Sequence, residues 1–320
     1  MLDVFITVDV EVWCDGWQDI DEKFPDSFRR YIYGPTAKGD FGLTFQAEML
    51  AAYGLRGVFF VEPLFSTRFG PEPLAEIVGL LNSGQQEIQL HLHTEWVDEA
   101  RIPLLPNVSG KRQHLRYFTL DEQKLLIGKG LALLQAAGAP SINAFRAGSF
   151  GFNRDTLRAL AANGIPFDSS YNVTHFGLDS GVLPGIPVLA PVECDGVHEY
   201  PMTVFRDGLG KLRHAQITAC SFGELEGLLW QALETGCSSF VLLSHSFEFL
   251  NQAKNRPDWL TIRRFERLCK LLDRHRDCFN VRGFRGLVPQ STIRQPLPLS
   301  TTTWQTAGRL FEQTYRRVYQ

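Results

Sequence analysis

The sequence predicts an α/β fold, barrel-like, of about seven strand–helix units around a parallel sheet. Short apolar runs rich in β-branched and aromatic residues alternate with longer stretches of helical spacing. The strand candidates are apolar along their whole length, as strands covered on both faces by helices are. The repeating units fit within residues 1–288, which favours one barrel-like domain over two.

In chain order, Val4–Val10 is the first strand. Thr44–Tyr53 has helical spacing and ends at Gly54; Gly57–Glu62 is the second strand. Pro71–Ser83 is a helix stopped by Gly84, and Glu87–His93 the third strand. Leu120–Ala137 is a long helix with Thr119 as cap and Gly138 as stop. Ile142–Arg146 is the fourth strand, and Asn153–Asn163 a helix capped by Asn153 and closed by Gly164. Residues 168–200, richer in Gly, Pro and Asp, read as loop, with a strand over Val197–Val204. Gly223–Thr235 is a helix, Phe240–His245 a strand, Pro257–Arg274 a long helix and Phe279–Val281 a last short strand. The prolines after residue 288 mark 289–300 as a linker, leaving 1–288 as the main domain and 301–320 as a C-terminal helix. That helix carries an apolar stripe at Trp304, Ala307, Phe311, Tyr315 and Val318, which reads first as a docking face and second as a membrane or partner surface.

Hydrophobic residues make up 44% and charged residues 21% of the 320, enough to bury a sizeable core without disulfides. A net charge of −3 with scattered basic residues gives no footprint for nucleic acid. The six cysteines show no framework spacing, so reduced thiols are expected. Met1 leads straight into strand, with no signal-like segment before it, and no apolar run is long enough for a transmembrane helix. Together these predict a soluble, cytoplasmic protein.

Polar residues at four strand ends are the candidates for chemistry, since reactive groups in α/β barrels sit where strands give way to loops. In Thr7-Val-Asp9-Val-Glu11, the period of an extended chain puts Asp9 and Glu11 on one face. Two acids there repel unless water or a cation relieves them. His91 and His93 share a face for the same reason, with Glu95 two residues on. A lone histidine is more often a satisfied core residue, but His-x-His beside acids has the chemistry of a metal site. Arg146 ends the fourth strand, where its fork suits a carboxylate or a structural ion pair. His245, in Leu-Leu-Ser-His-Ser-Phe-Glu, has the right chemistry for a general acid. His114 and His214 lie on loops and read as structural or surface residues.

These segments, in this order, resemble the polysaccharide deacetylase family, carbohydrate esterase family 4. Thr7-Val-Asp9-Val-Glu11 resembles its first motif, Glu87-Ile-Gln-Leu-His91 its second and Arg146-Ala-Gly-Ser-Phe its third. Phe167-Asp168-Ser-Ser resembles the following Asp-Ser segment, and Leu242-Leu-Ser-His245 the closing Leu-x-x-His motif. The resemblance covers residues 7 to 248 and implies a distorted (β/α) barrel. It also implies a divalent metal ion, zinc first, with Glu11 and His91 among its ligands. The family's second histidine falls at Glu95 here, so His93 or Glu95 is expected to complete the set.

The implied activity is metal-dependent removal of an N-acyl group from an amino sugar in a polysaccharide, lipid-linked glycan or sugar precursor. Asp9 would be the base, Arg146 its support and His245 the acid that protonates the departing amine. Trp13, Trp17 and Trp96 would either stack on a sugar or pack in the core. Two other readings stand beside this one: another C–N hydrolase on the same scaffold, such as a deformylase or cyclic-amide hydrolase, and a non-catalytic carbohydrate-binding protein.

Overall fold

The computed structural model describes residues 1–107 and 110–319, with side chains described outside 317–319. The chain gathers into two compact units. The first comprises Met1–Gly57, Met202–Gly283 and Pro296–Gln320, and the second Val58–Pro201 and Phe284–Gln295. Each is built of parallel strands and helices, so the α/β class is as expected.

In the first unit, strand Leu2–Val10 pairs in parallel with Ser239–His245, in a register running from Asp3↔Ser239 to Asp9↔His245. Phe279–Val281 also pairs with the start of Leu2–Val10. Leu2, Val4, Phe5, Ile6, Val8 and Val10 are all buried, which explains the uninterrupted apolar run. Helices Leu43–Ala52, Phe222–Glu234 and Trp259–Arg274 lie within two residues of their predicted limits. The helix Ile20–Phe28 has Pro25 inside it, a residue that argues against a helix interior in sequence, and a π-type turn at Arg29–Tyr33 follows.

In the second unit, Val58–Val61, Glu87–Leu92, Ala144–Ala147, Phe167–Asp168 and Val197–Glu199 form successive parallel pairs, with Val192–Cys194 antiparallel at one edge. Helix Leu120–Ala136 begins at a reciprocal capping box between Thr119 and Glu122. Helix Arg154–Ala162 begins at one between Asn153 and Thr156. The strand expected over Val197–Val204 divides into Val197–Glu199 and Val204–Arg206. Pro201 lies in the gap and has no N–H to continue a ladder.

The helix Thr303–Tyr319 corrects one expectation. Over its described side chains the apolar stripe does not dock, and Val318 lies outside them. Trp304 is 86% and Phe311 74% exposed, while Thr306 and Arg309 are buried. The Arg309 guanidinium bridges Asp207 at 2.9 Å and Glu224 at 3.0 Å, so this helix is held to its unit by charge.

Candidate active site

Among the described residues, each unit carries a cluster of chemically capable side chains. In the first, Asp9 stands near the end of the opening strand and Glu11 follows just beyond it; both are buried. Parallel register sets Asp9 beside His245. One ligand atom from each of Asp9, Glu11 and His245 lies within 4.8 Å of the others. His245 Nε2 is 3.9 Å from Glu11 Oε1, and its Nδ1 is 2.9 Å from Glu248 Oε1. Glu248 in turn accepts hydrogen bonds from Gln216, Thr218 and Ser244, and Gln46 donates to Ser244. Burial disfavours the charged His245 ring, but the hydrogen bond and charge of Glu248, with Glu11 and Asp9 behind, push its pKa up to about 9. Trp13 donates its indole N–H to Glu11 at 2.6 Å, fixing that carboxylate.

In the second cluster, His91 Nδ1 lies 2.8 Å from the backbone carbonyl of Arg146, its register partner on the next strand. A carbonyl only accepts, so the proton sits on Nδ1 and the lone pair on Nε2. His93 Nδ1 lies 3.2 Å from Glu95 Oε2, with the same consequence for its ring when Glu95 is ionised. The two rings meet edge to face at 4.8 Å. Both imidazoles therefore hold the tautomer that metal-binding histidines use, set by an acceptor on the far nitrogen.

Arg146 is fully buried. It donates from Nε to the Ser169 carbonyl at 3.0 Å and from Nη2 to Ser169 Oγ at 3.1 Å, over the Phe60 ring at 4.4 Å. Asp168 and Glu199, both buried, adjoin this frame; burial raises both pKa values, and the charge of Asp168 raises that of Glu199 further. Such a pair shares a proton rather than carrying two charges.

After Arg146 the chain passes close to His93. A Cβ on Gly148 would stand 2.7 Å from His93 Nδ1 and 2.7 Å from the Leu92 carbonyl oxygen. Ser149 and Phe150 both have positive φ, 52° and 57°, a strained pair in residues with side chains. Glu62, at the end of strand Val58–Val61, is buried and accepts from the N–H groups of Leu64 and Phe65. Burial raises its pKa to about 8, against the pull of those hydrogen bonds and of His93.

Glu62 and Glu248 are the site residues that sequence reasoning passed over. Glu62 carried the same signal as Asp9, an acid ending an apolar strand. Glu248 stands three residues after His245, a spacing that becomes meaningful once a turn follows the strand. Trp96 is buried against Phe69 and belongs to the core, whereas Trp13 and Trp17 are half-buried and meet edge to face. His114 is buried beside Tyr117 and Phe176.

No protein-family model and no curated protein matches this sequence. Solved structures do. A protein from Mycobacterium smegmatis assigned to the polysaccharide deacetylases superposes with a TM-score of 0.54 at 18% identity, over 92% of this chain and 95% of that one. A family 4 carbohydrate esterase from Streptomyces lividans, in complex with acetate, gives 0.44 at 13% identity over 92% and 97%. A family 4 pseudoenzyme from Bacillus anthracis gives 0.41 at 13% identity over 85% and 61%. At these identities the likeness is one of architecture: the chain has the polysaccharide deacetylase fold.

Proposed function

We propose that the protein is a metal-dependent hydrolase that removes an N-acyl group, acetyl in the simplest case, from an amino sugar in a polysaccharide, lipid-linked glycan or sugar precursor. The observation that carries the reading is the pair of buried imidazoles, His91 and His93, each with an acceptor at Nδ1 that assigns the lone pair to Nε2. The fold of the M. smegmatis structure supports it.

In this reading Glu11, His91 and His93 would hold a divalent ion, zinc first, because two imidazoles and a carboxylate suit it. Glu95 then orients His93 instead of binding. When bound, the ion would polarise the acyl carbonyl and acidify water. Asp9 accepts the proton of the attacking water, with Arg146 as the supporting residue. The departing amine is a poor leaving group until protonated, and His245 supplies the proton. Glu248 keeps His245 charged until that step.

The test is acetate release from polymeric, lipid-linked and nucleotide-linked N-acetylhexosamines, with and without chelator, alongside metal analysis. Asp9→Asn is expected to keep the metal and lose turnover; His91→Ala is expected to lose the metal. If both variants retain metal and full rate, the proposal fails.

A further inference from the structure

The helix Thr303–Tyr319 presents to solvent the face that amphipathic helices ordinarily bury. Trp304, Phe311 and Tyr315 recur at helical spacing and are 86%, 74% and 46% exposed. The opposite face is consumed by Arg309 with Asp207 and Glu224, and by Arg316 with Asp258. The stripe runs about 16 Å along the axis at 1.5 Å per residue.

Both ends of the stripe continue into further apolar and cationic surface of the same unit. At the N-terminal end, the turn between strands Val204–Arg206 and Leu212–His214 abuts the helix. A Cβ on Gly208 would meet the Thr303 backbone at 2.5 Å, and the Gly208 N–H donates to Thr306 Oγ1 at 2.8 Å. Leu209, at the tip of this turn, is 74% exposed, with Arg206 and Lys211 exposed beside it. At the other end Tyr315 lines a recess of about 330 Å³ with Trp259, Lys38 and Arg256. Lys38 lies over the Trp259 ring at 5.6 Å. Glu312, next to Phe311 in the helix, is already paired with Arg264.

We propose that this face lies on an anionic lipid bilayer surface. Trp and Tyr are suited to the boundary between headgroups and acyl chains, and an exposed apolar helix stripe enters it without spanning it. Among the described residues no helix is long and apolar enough to cross a membrane. The cations at both ends complement anionic headgroups. They also disfavour a second copy as the occupant. In an antiparallel two-fold pair, Arg206 and Lys211 of one copy would face Lys38 and Arg256 of the other, so like charges would meet.

The experiment is flotation of the full chain with phosphatidylcholine vesicles, with and without about a third phosphatidylglycerol. Binding to the anionic vesicles that falls with added salt is expected. Trp304→Ser and Phe311→Ser alter exposed side chains and should each weaken partitioning about tenfold, the order of one buried aromatic, with urea unfolding unchanged. Lys211→Glu with Arg206→Glu should weaken it on anionic vesicles. The proposal is overturned by no binding, by equal binding to neutral vesicles, or by binding indifferent to Trp304→Ser and Phe311→Ser. It is also overturned if those two substitutions abolish a dimer seen by sedimentation while vesicles bind nothing.

Discussion

His245 Nδ1 stands 2.9 Å from Glu248 Oε1, and that carboxylate holds the ring charged although burial opposes it. The raised pKa, about 9 against an ordinary 6.5, means the acid form persists through neutrality and is lost as pH rises through about 9. The associated stability has the same sign: fully present below about 6.5, lost by about 9. Glu248→Gln should return the ring toward its ordinary value. The alkaline limb of the pH–rate profile then moves down, and turnover near pH 8 falls on the order of tenfold. Histidine NMR titration of the metal-free protein gives an independent reading. An unmoved limb together with an unmoved His245 resonance would remove Glu248 from the mechanism.

Much of this was legible in the sequence because the chemistry lies on strands. The period of two puts Asp9 and Glu11, like His91 and His93, on common faces, and both pairs are buried. Caps at Thr119 and Asn153 were legible because capping is local. What escaped depended on partners far along the chain. Nothing near Arg309 announces Asp207 or Glu224, so the last helix read as apolar face inward. Glu248 acts through a turn whose shape the sequence does not state. The division at Pro201 followed a rule of local chemistry, but one that an apolar run on either side concealed.

The contact between Gly148 and His93 makes a second prediction. Gly148→Ala would put a methyl 2.7 Å from His93 Nδ1 and from a fixed backbone oxygen, so the ring must move. Overpacking of this kind costs about 1–3 kcal/mol of stability. If His93 is a ligand, metal affinity should fall about 10- to 100-fold as its orientation is lost. Isothermal titration with zinc measures this. Unchanged affinity in a destabilised variant would leave His93 a structural residue.

Glu95→Gln tests the orienting role directly. Glu95 Oε2 holds His93 through Nδ1 at 3.2 Å. Glutamine keeps the bulk but weakens the acceptor, so metal affinity should drop by about tenfold. His93→Ala should cost far more. Equal losses in the two variants, measured in the same competition titration, would instead make Glu95 a ligand.

Glu62 predicts a pH dependence of stability with the same sign as that of His245. Burial lifts its pKa from 4.5 to about 8, so the native state keeps a proton that the unfolded chain releases. Stability from this group is fully present below about 4.5 and is lost as pH rises toward about 8. Glu62→Gln removes the titration and keeps one oxygen as acceptor, for the shorter bond from the Leu64 N–H at 2.7 Å, while the Phe65 N–H loses its acceptor; that loss is a constant offset across pH. Urea unfolding of metal-free protein should show the variant gaining on wild type across that window. Parallel curves would mean that Glu62 is ionised in the fold.

The last helix gives the sharpest stability prediction, because its attachment is a buried charge network. Arg309, Asp207 and Glu224 are each 5% exposed or less. Removing the cation strands two buried carboxylates, whereas removing all three charges strands none. Arg309→Leu should therefore cost about 3–5 kcal/mol in urea unfolding, while Arg309→Leu with Asp207→Asn and Glu224→Gln should recover most of it. The recovery has a limit set by the other bonds the acids accept: Asp207 from the Leu209 and Lys211 N–H groups, Glu224 from Ser221. Amide and carboxamide oxygens still accept these, so the loops should hold. If the single variant unfolds like wild type, the attachment is not electrostatic, and the outward-facing aromatic stripe would have to be explained by another packing of the helix.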